Sequence, residues 1–130
     1  FKAGDDPDEQ LEVWAAHGTG GGMLAGSLFN RIERVANWIN GADCYLLGHW
    51  TRRGAVPLAD LMRIPGTDGL THNSPILIGT GGYSRGYIEG HKEGLVPRGT
   101  YVEKRLLRPV ALGAVQIHWT PGVKPPRVLV

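Results

Sequence analysis

The sequence predicts an α/β domain, a βαβ unit followed by antiparallel or mixed β-strands that together form a two-layer sandwich. Three observations predict it: an apolar run that ends at His17, an amphipathic stripe over residues 25–40, and a second apolar run that ends at His49. Downstream, short β-rich segments are punctuated by glycine and proline. A chain of 130 residues fits one domain with a real core, and its 20 glycines and 9 prolines mean that turns carry much of its length.

The first element is "LEVWAA" (11–16), short, apolar and bounded by polar residues and glycine, as a buried strand is. From Ala25 to Asn40, Leu28, Ile32, Val35 and Ile39 recur at helical steps, Phe29 and Ala36 widen the stripe, and Asn30, Arg31, Glu33, Arg34 and Asn37 face away. Asn40-Gly41 closes this helix, and "DCYLLG" (43–48) reads as the second strand. Strand, helix, strand in this order pairs the two strands in parallel with a right-handed crossover, so both carboxyl ends open on one edge of the sheet. His17 follows the first strand and His49 the second, so two imidazoles are expected side by side where open α/β sheets bind ligands. The segments 75–82, 83–90, 100–107, 111–119 and 126–130 are expected to build a second, antiparallel or mixed sheet. Residues 1–10, with the acidic "GDDPDE", read as a disordered or linker tail, and a chain that opens on Phe1 reads as a fragment or processed product.

Charge excludes little: the net charge is +2, and Arg52-Arg53 and Lys104-Arg105 are short basic spots that read as solvated surface. The single cysteine, Cys44, sits in an apolar run and reads as an inert buried thiol. No apolar stretch reaches the ~18 residues of a membrane span and no signal peptide precedes the domain, so the cytoplasm is the expected compartment. Trp14, Trp38 and Trp119 read as core anchors, whereas Trp50, next to His49, is a candidate for the mouth of a substrate pocket. His91 and His118 read as packing or surface histidines.

The run "HGTGGGMLA" (17–25) is the chemical centre of the sequence. It is no phosphate-binding P-loop, because no lysine closes it. The stretch Gly20–Ala25 fits the G-x-G-x-x-A of a dinucleotide site, but the acidic residue that holds the ribose belongs at the end of the second strand, and here Asp43 begins that strand. The other reading is that Gly20 and Gly21 let the backbone pass close to an ion or a phosphoryl group while His17 offers an imidazole nitrogen, a favoured donor to Zn, Mn, Fe or Ni.

In order and spacing, "AAHGTGGG", "LFNRIERVANWI" and "ADCYLLGHW", with the later "GTGGYSRGYIEG" and "GTYVEKRLLRPVALGAVQIHW", resemble the C-terminal half of calcineurin-like metallophosphoesterases of the phage and prophage type. The resemblance covers the chain from about Val13 onward. It implies a divalent metal (Mn, Fe, Zn or Ni) bound by His17 and by the histidine of Gly48-His49, with a metal-bound water attacking phosphorus. Gly20, Gly21, Trp50, Thr51 and Arg52, with Arg53, would then line the substrate. The family closes with Gly-His-x-His, and "GHWT" puts Thr51 where its last histidine belongs. The family's N-terminal Asp-x-His, Gly-Asp and Asn-His motifs have no counterpart in the chain, so the expected site is half a site and the isolated chain is expected to be inactive.

Three function classes follow. The first is a metal-dependent phosphoesterase, acting on a diester or monoester and including nuclease-like activity, whose N-terminal half lies on another chain. The second is a non-catalytic interaction or structural module, phage-encoded, derived from that fold. The third is a nucleotide-cofactor binder.

Overall fold

The computed structural model describes residues 6, 9–19, 24–50, 52–82 and 112–130. The βαβ unit is present: β1 (Val13–Ala16), α1 (Ala25–Trp38) and β2 (Cys44–Leu47), with β1 and β2 parallel and Val13 to Ala16 opposite Cys44 to Leu47. Three further strands are β3 (Arg53–Pro57), β4 (Asp60–Arg63) and β5 (Leu70–Asn73), followed by β6 (Ile76–Thr80), β7 (Gln116–Thr120) and β8 (Val123–Leu129). The main sheet runs β1-β2-β6-β3; β6 is parallel to β2, and β3 is antiparallel to β6. The sequence expectation that residues 75–82 belong to a second sheet is therefore corrected. The run Ile76-Leu77-Ile78 is buried on both faces, the pattern of an inner parallel strand, and it enters the first sheet. The expected strands at 83–90 and 100–107, like His91 and Lys104-Arg105, lie outside the described residues.

Alternation along the strands sorts the core into two layers. Tyr45, Leu47 and Leu77 face α1 and pack on Leu28, Ile32 and Ala36, with Trp14 and Phe29 at the margin. Cys44, Ile76 and Ile78 face the other way and are covered by Ile117, Trp119 and Val128 of the β7–β8 hairpin. Helix and hairpin thus cover opposite faces of the one sheet, where the sequence predicts two layers. Two glycines let the helix sit close: a side chain at Gly79 would occupy the space filled by Leu28, and one at Gly54 would come within 2.8 Å of the Phe29 ring. The hairpin is also tied electrostatically, since Lys124 Nζ lies 3.1 Å from the carboxylate of Asp43, which itself accepts the Glu12 N–H at 2.9 Å.

Two details of the helix differ from expectation. It ends at Trp38, and Ile39 has left the helical conformation with its carbonyl accepting the Tyr45 hydroxyl at 2.5 Å, which in turn accepts the Ala42 N–H. Trp38 is not a core anchor: it is 80% exposed, because its position on the helix lies well away from the Leu28–Ile32–Val35 stripe, while Trp14 and Trp119, expected as core anchors, are half-buried and pack against the margins of the two core clusters. No helix among the described residues is long and apolar enough to cross a membrane.

Cys44 is fully buried, and burial, aided by the neighbouring Asp43 charge, pushes its thiol from 9.0 up to about 11. In this window the folded chain keeps a proton that the unfolded chain releases. The stability this contributes is complete below pH ~9 and is lost as pH rises through the folded value. Burial raises Tyr45 in the same direction. At about 1.4 kcal/mol per pKa unit, we expect urea unfolding to show a loss of roughly 2 kcal/mol between pH ~8.5 and pH ~11, and Cys44→Ala to remove much of that slope. An unchanged slope in the variant would assign the loss to other groups.

Candidate functional site

The carboxyl ends of β1 and β2 bring His17 and His49 together. The ladder continues one step past the strands, where Gly48 N–H donates to the Ala16 carbonyl at 3.0 Å and holds the two exits side by side. Two glycines make this approach possible. A side chain on Gly48 would press on the His17 backbone oxygen at 3.2 Å. At Gly18 the backbone has φ +78 and a side chain would meet Leu47 at 2.8 Å, so neither conformation nor space admits another residue. Arg31 of α1 steadies the next part of the loop by donating to the Thr19 carbonyl at 2.8 Å.

His49 carries the feature that sequence reading missed. Its φ of 65 places a non-glycine residue in the left-handed region, and Trp50 N–H donates to the Gly48 carbonyl at 2.7 Å across it, a tight three-residue turn of the strained kind. Trp50 is buried in the helix-side core with Leu28 and Ile32, and its indole Nε1 meets no acceptor among the described residues. The indole therefore anchors the turn from beneath, and His49 is turned out toward His17. The two rings meet edge to face, with centroids 5.1 Å apart and planes at 81°. His49 Nδ1 lies 3.1 Å from His17 Nε2. Both residues are exposed, so the pair is open to solvent and to a ligand.

These nitrogens can share a proton or a cation. With metal–nitrogen bonds of ~2.0–2.1 Å, two imidazole donors stand roughly 2.9 Å apart at a right angle and roughly 3.4 Å apart at the tetrahedral angle. The observed separation falls between, so the distance matches two neighbouring positions of one metal's coordination sphere as well as a hydrogen bond between the rings. The pair does not complete a sphere: among the described residues no group of three or more His, Cys, Asp or Glu side chains converges as a metal site.

The remaining candidates fall in different places. Gly20, Gly21 and Thr51 lie outside the described residues. Arg53 opens β3 opposite Thr80, at the same edge of the sheet as the histidines, and Arg52 precedes it with an interaction partner of its own. His118 is exposed on β7, facing Arg127 across the hairpin, and His72 is bonded to Ser74 Oγ at 3.1 Å, so neither joins the pair. Asp43 stands at the opposite end of β2 in its bond with Lys124, and a dinucleotide reading finds no acidic residue at the end of that strand.

No family model, no curated protein and no solved structure matches the chain.

The strain at His49 is directly measurable. Glycine relieves a left-handed conformation that alanine retains, so His49→Gly should be about 1 kcal/mol more stable than His49→Ala by chemical denaturation, although both lack the imidazole. Equal stabilities would mean that the turn relaxes when the histidine is removed.

Proposed function

We propose that this chain supplies the histidine half of a metal-dependent phosphoesterase centre like that of the calcineurin-like enzymes, with the carboxylate ligands contributed by another segment or chain. The observation that carries the reading is the His17–His49 pair, two imidazole nitrogens 3.1 Å apart at the carboxyl ends of adjacent parallel strands. His17 and His49 would together hold one Mn, Fe, Zn or Ni ion. Such an ion, when bound beside a second one, lowers the pKa of a bound water and neutralises charge on the phosphoryl oxygens.

The chain's own contribution is positional. Gly18 and Gly48 let the two exits close to within ligand distance, the Trp50 anchor fixes the His49 turn, and Arg52 and Arg53 bring positive charge to the same edge. Phosphodiesters and phosphomonoesters, nucleic acid or nucleotides among them, are the substrates this charge suits. Because the donor set is incomplete among the described residues, the same geometry also supports a second reading, a non-catalytic module derived from that fold and retained for binding. A cytoplasmic setting, that of the host if the chain is phage-encoded, goes with either reading.

The test is to supply a polypeptide carrying Asp-x-His, Gly-Asp and Asn-His motifs, fused or in trans, and to follow cleavage of an activated aryl phosphodiester. The isolated chain should be nearly inert and the completed protein active with Mn or another divalent metal. Failure with every divalent metal would favour the non-catalytic module.

A further inference from the structure

Arg53 is an unusual cation in this molecule. Its stem packs on Gly81, where a side chain would approach to 3.0 Å, and its guanidinium fills the space that a side chain on Gly113 would occupy. Both glycines have positive φ, +81 and +147, so two loop backbones are shaped around one arginine. Other basic groups are exposed, as Arg34 and Arg127 are, or paired. Arg63, whose side chain is 73% exposed, pairs with Asp68, and Lys124 pairs with Asp43. Arg53 is half-buried, yet among the described residues its guanidinium makes no hydrogen bond or ion pair. A partly desolvated fork of five donors without a counter-charge among the described residues suits an anion, and its planar geometry matches a phosphate.

We propose that Arg53 anchors a second anion subsite on the carboxyl edge, taking a phosphate group other than the one held at the histidine pair. The two positions are distinct: β6 lies between β2 and β3, so the strands that carry His49 and Arg53 are roughly 10 Å apart at ~4.8 Å per strand spacing. His49 turns toward His17 on the β1 side of β2, away from β3, so the two groups are placed for separate phosphoryl groups. A ligand that spans them carries at least two phosphates, either neighbouring nucleotides of a strand or the chain of a nucleoside polyphosphate. The identity of the first phosphate's site rests on the phosphoesterase reading; the Arg53 subsite itself does not.

The experiment therefore uses the 130-residue chain without metal, in the presence of a chelator. Binding of a fluorescein-labelled single-stranded oligonucleotide is followed by anisotropy, and binding of inorganic triphosphate by calorimetry. Arg53→Ala should weaken binding by about tenfold or more, Arg53→Lys by less because it keeps the charge and loses the fork, and Arg63→Ala should leave it nearly unchanged. Gly113→Ala, which displaces the guanidinium and keeps its charge, should weaken binding as Arg53→Ala does. Because the metal is chelated throughout, loss of binding in Arg53→Ala reads this subsite separately from the phosphoesterase reading. Triphosphate binding with weak oligonucleotide binding identifies a polyphosphate ligand, and the converse a nucleic-acid strand. Equal losses in Arg53→Ala and Arg63→Ala, or no binding of either probe by the parent chain, would overturn the proposal.

Discussion

His17→Ala and His49→Ala should each remove metal-dependent phosphodiester cleavage from the completed protein almost entirely, by on the order of a hundredfold or more. The expectation follows from the geometry. The two nitrogens stand 3.1 Å apart, a spacing that neighbouring donors to one ion would have, and no third His, Cys, Asp or Glu converges with them among the described residues, so the loss of one would leave this half of the centre a single imidazole. Both a lower occupancy and a poorer stabilisation of phosphoryl charge then act on the rate. Thr51→His should act in the opposite direction and raise metal occupancy or rate, since it restores the last histidine of the Gly-His-x-His pattern that the resemblance implies. Steady-state rates against metal concentration read all three variants. Alanine variants as active as the parent would make the pair a structural contact and favour the non-catalytic module.

The largest effect on stability is expected from Leu28→Ala. Leu28 is fully buried at the centre of the α1 contact, lying in the space left by Gly79 and against the cluster of Tyr45, Leu47 and Leu77. Truncation removes the apolar contact and leaves a cavity that the sheet cannot collapse to fill, a loss of about 3 to 4 kcal/mol. Because the helix returns the chain from β1 to β2, the same change should loosen the registration of the two strand ends that carry His17 and His49. Urea denaturation followed by tryptophan fluorescence measures the first effect, and metal affinity the second. A loss below about 1 kcal/mol would mean that α1 is held mainly by other contacts.

The parts of this molecule that were legible in the sequence are those where burial imposes a period. Residues 11–16, 25–40 and 43–48 were marked by apolar runs and a helical stripe, and the strands and helix occupy Val13–Ala16, Ala25–Trp38 and Cys44–Leu47. The meeting of His17 and His49 followed from that topology alone. The stretch between Trp50 and Ser74 was not legible as strand. In "RGAVP" a glycine and a proline interrupt any strand pattern, yet Gly54 is needed beneath Phe29, and Pro57 is tolerated because β3 is an outer strand of its sheet. β4 and β5 are exposed along nearly all their length and so carry no burial alternation to read. At Trp38 helical position outweighs residue type, and the large apolar ring lies on the exposed face. At the site, the left-handed turn of His49 and the packing of Arg53 against Gly81 and Gly113 are properties of folded backbone and of tertiary placement, for which a one-dimensional pattern holds no signal.

The central claim is that His17 and His49 bind one metal ion together. Titration of the chain with Zn or diamagnetic Cd, followed through the histidine ring signals in two-dimensional NMR, tests it most directly. The account predicts that the rings of His17 and His49 shift together with a single saturating curve of one ion per chain. Binding should be weak because two imidazoles do not close a site, it should fall as protons compete at lower pH, and it should be lost in His49→Ala, while His72 and His118 stay unmoved. Shifts at only one of the two rings, or binding that survives His49→Ala, would contradict it.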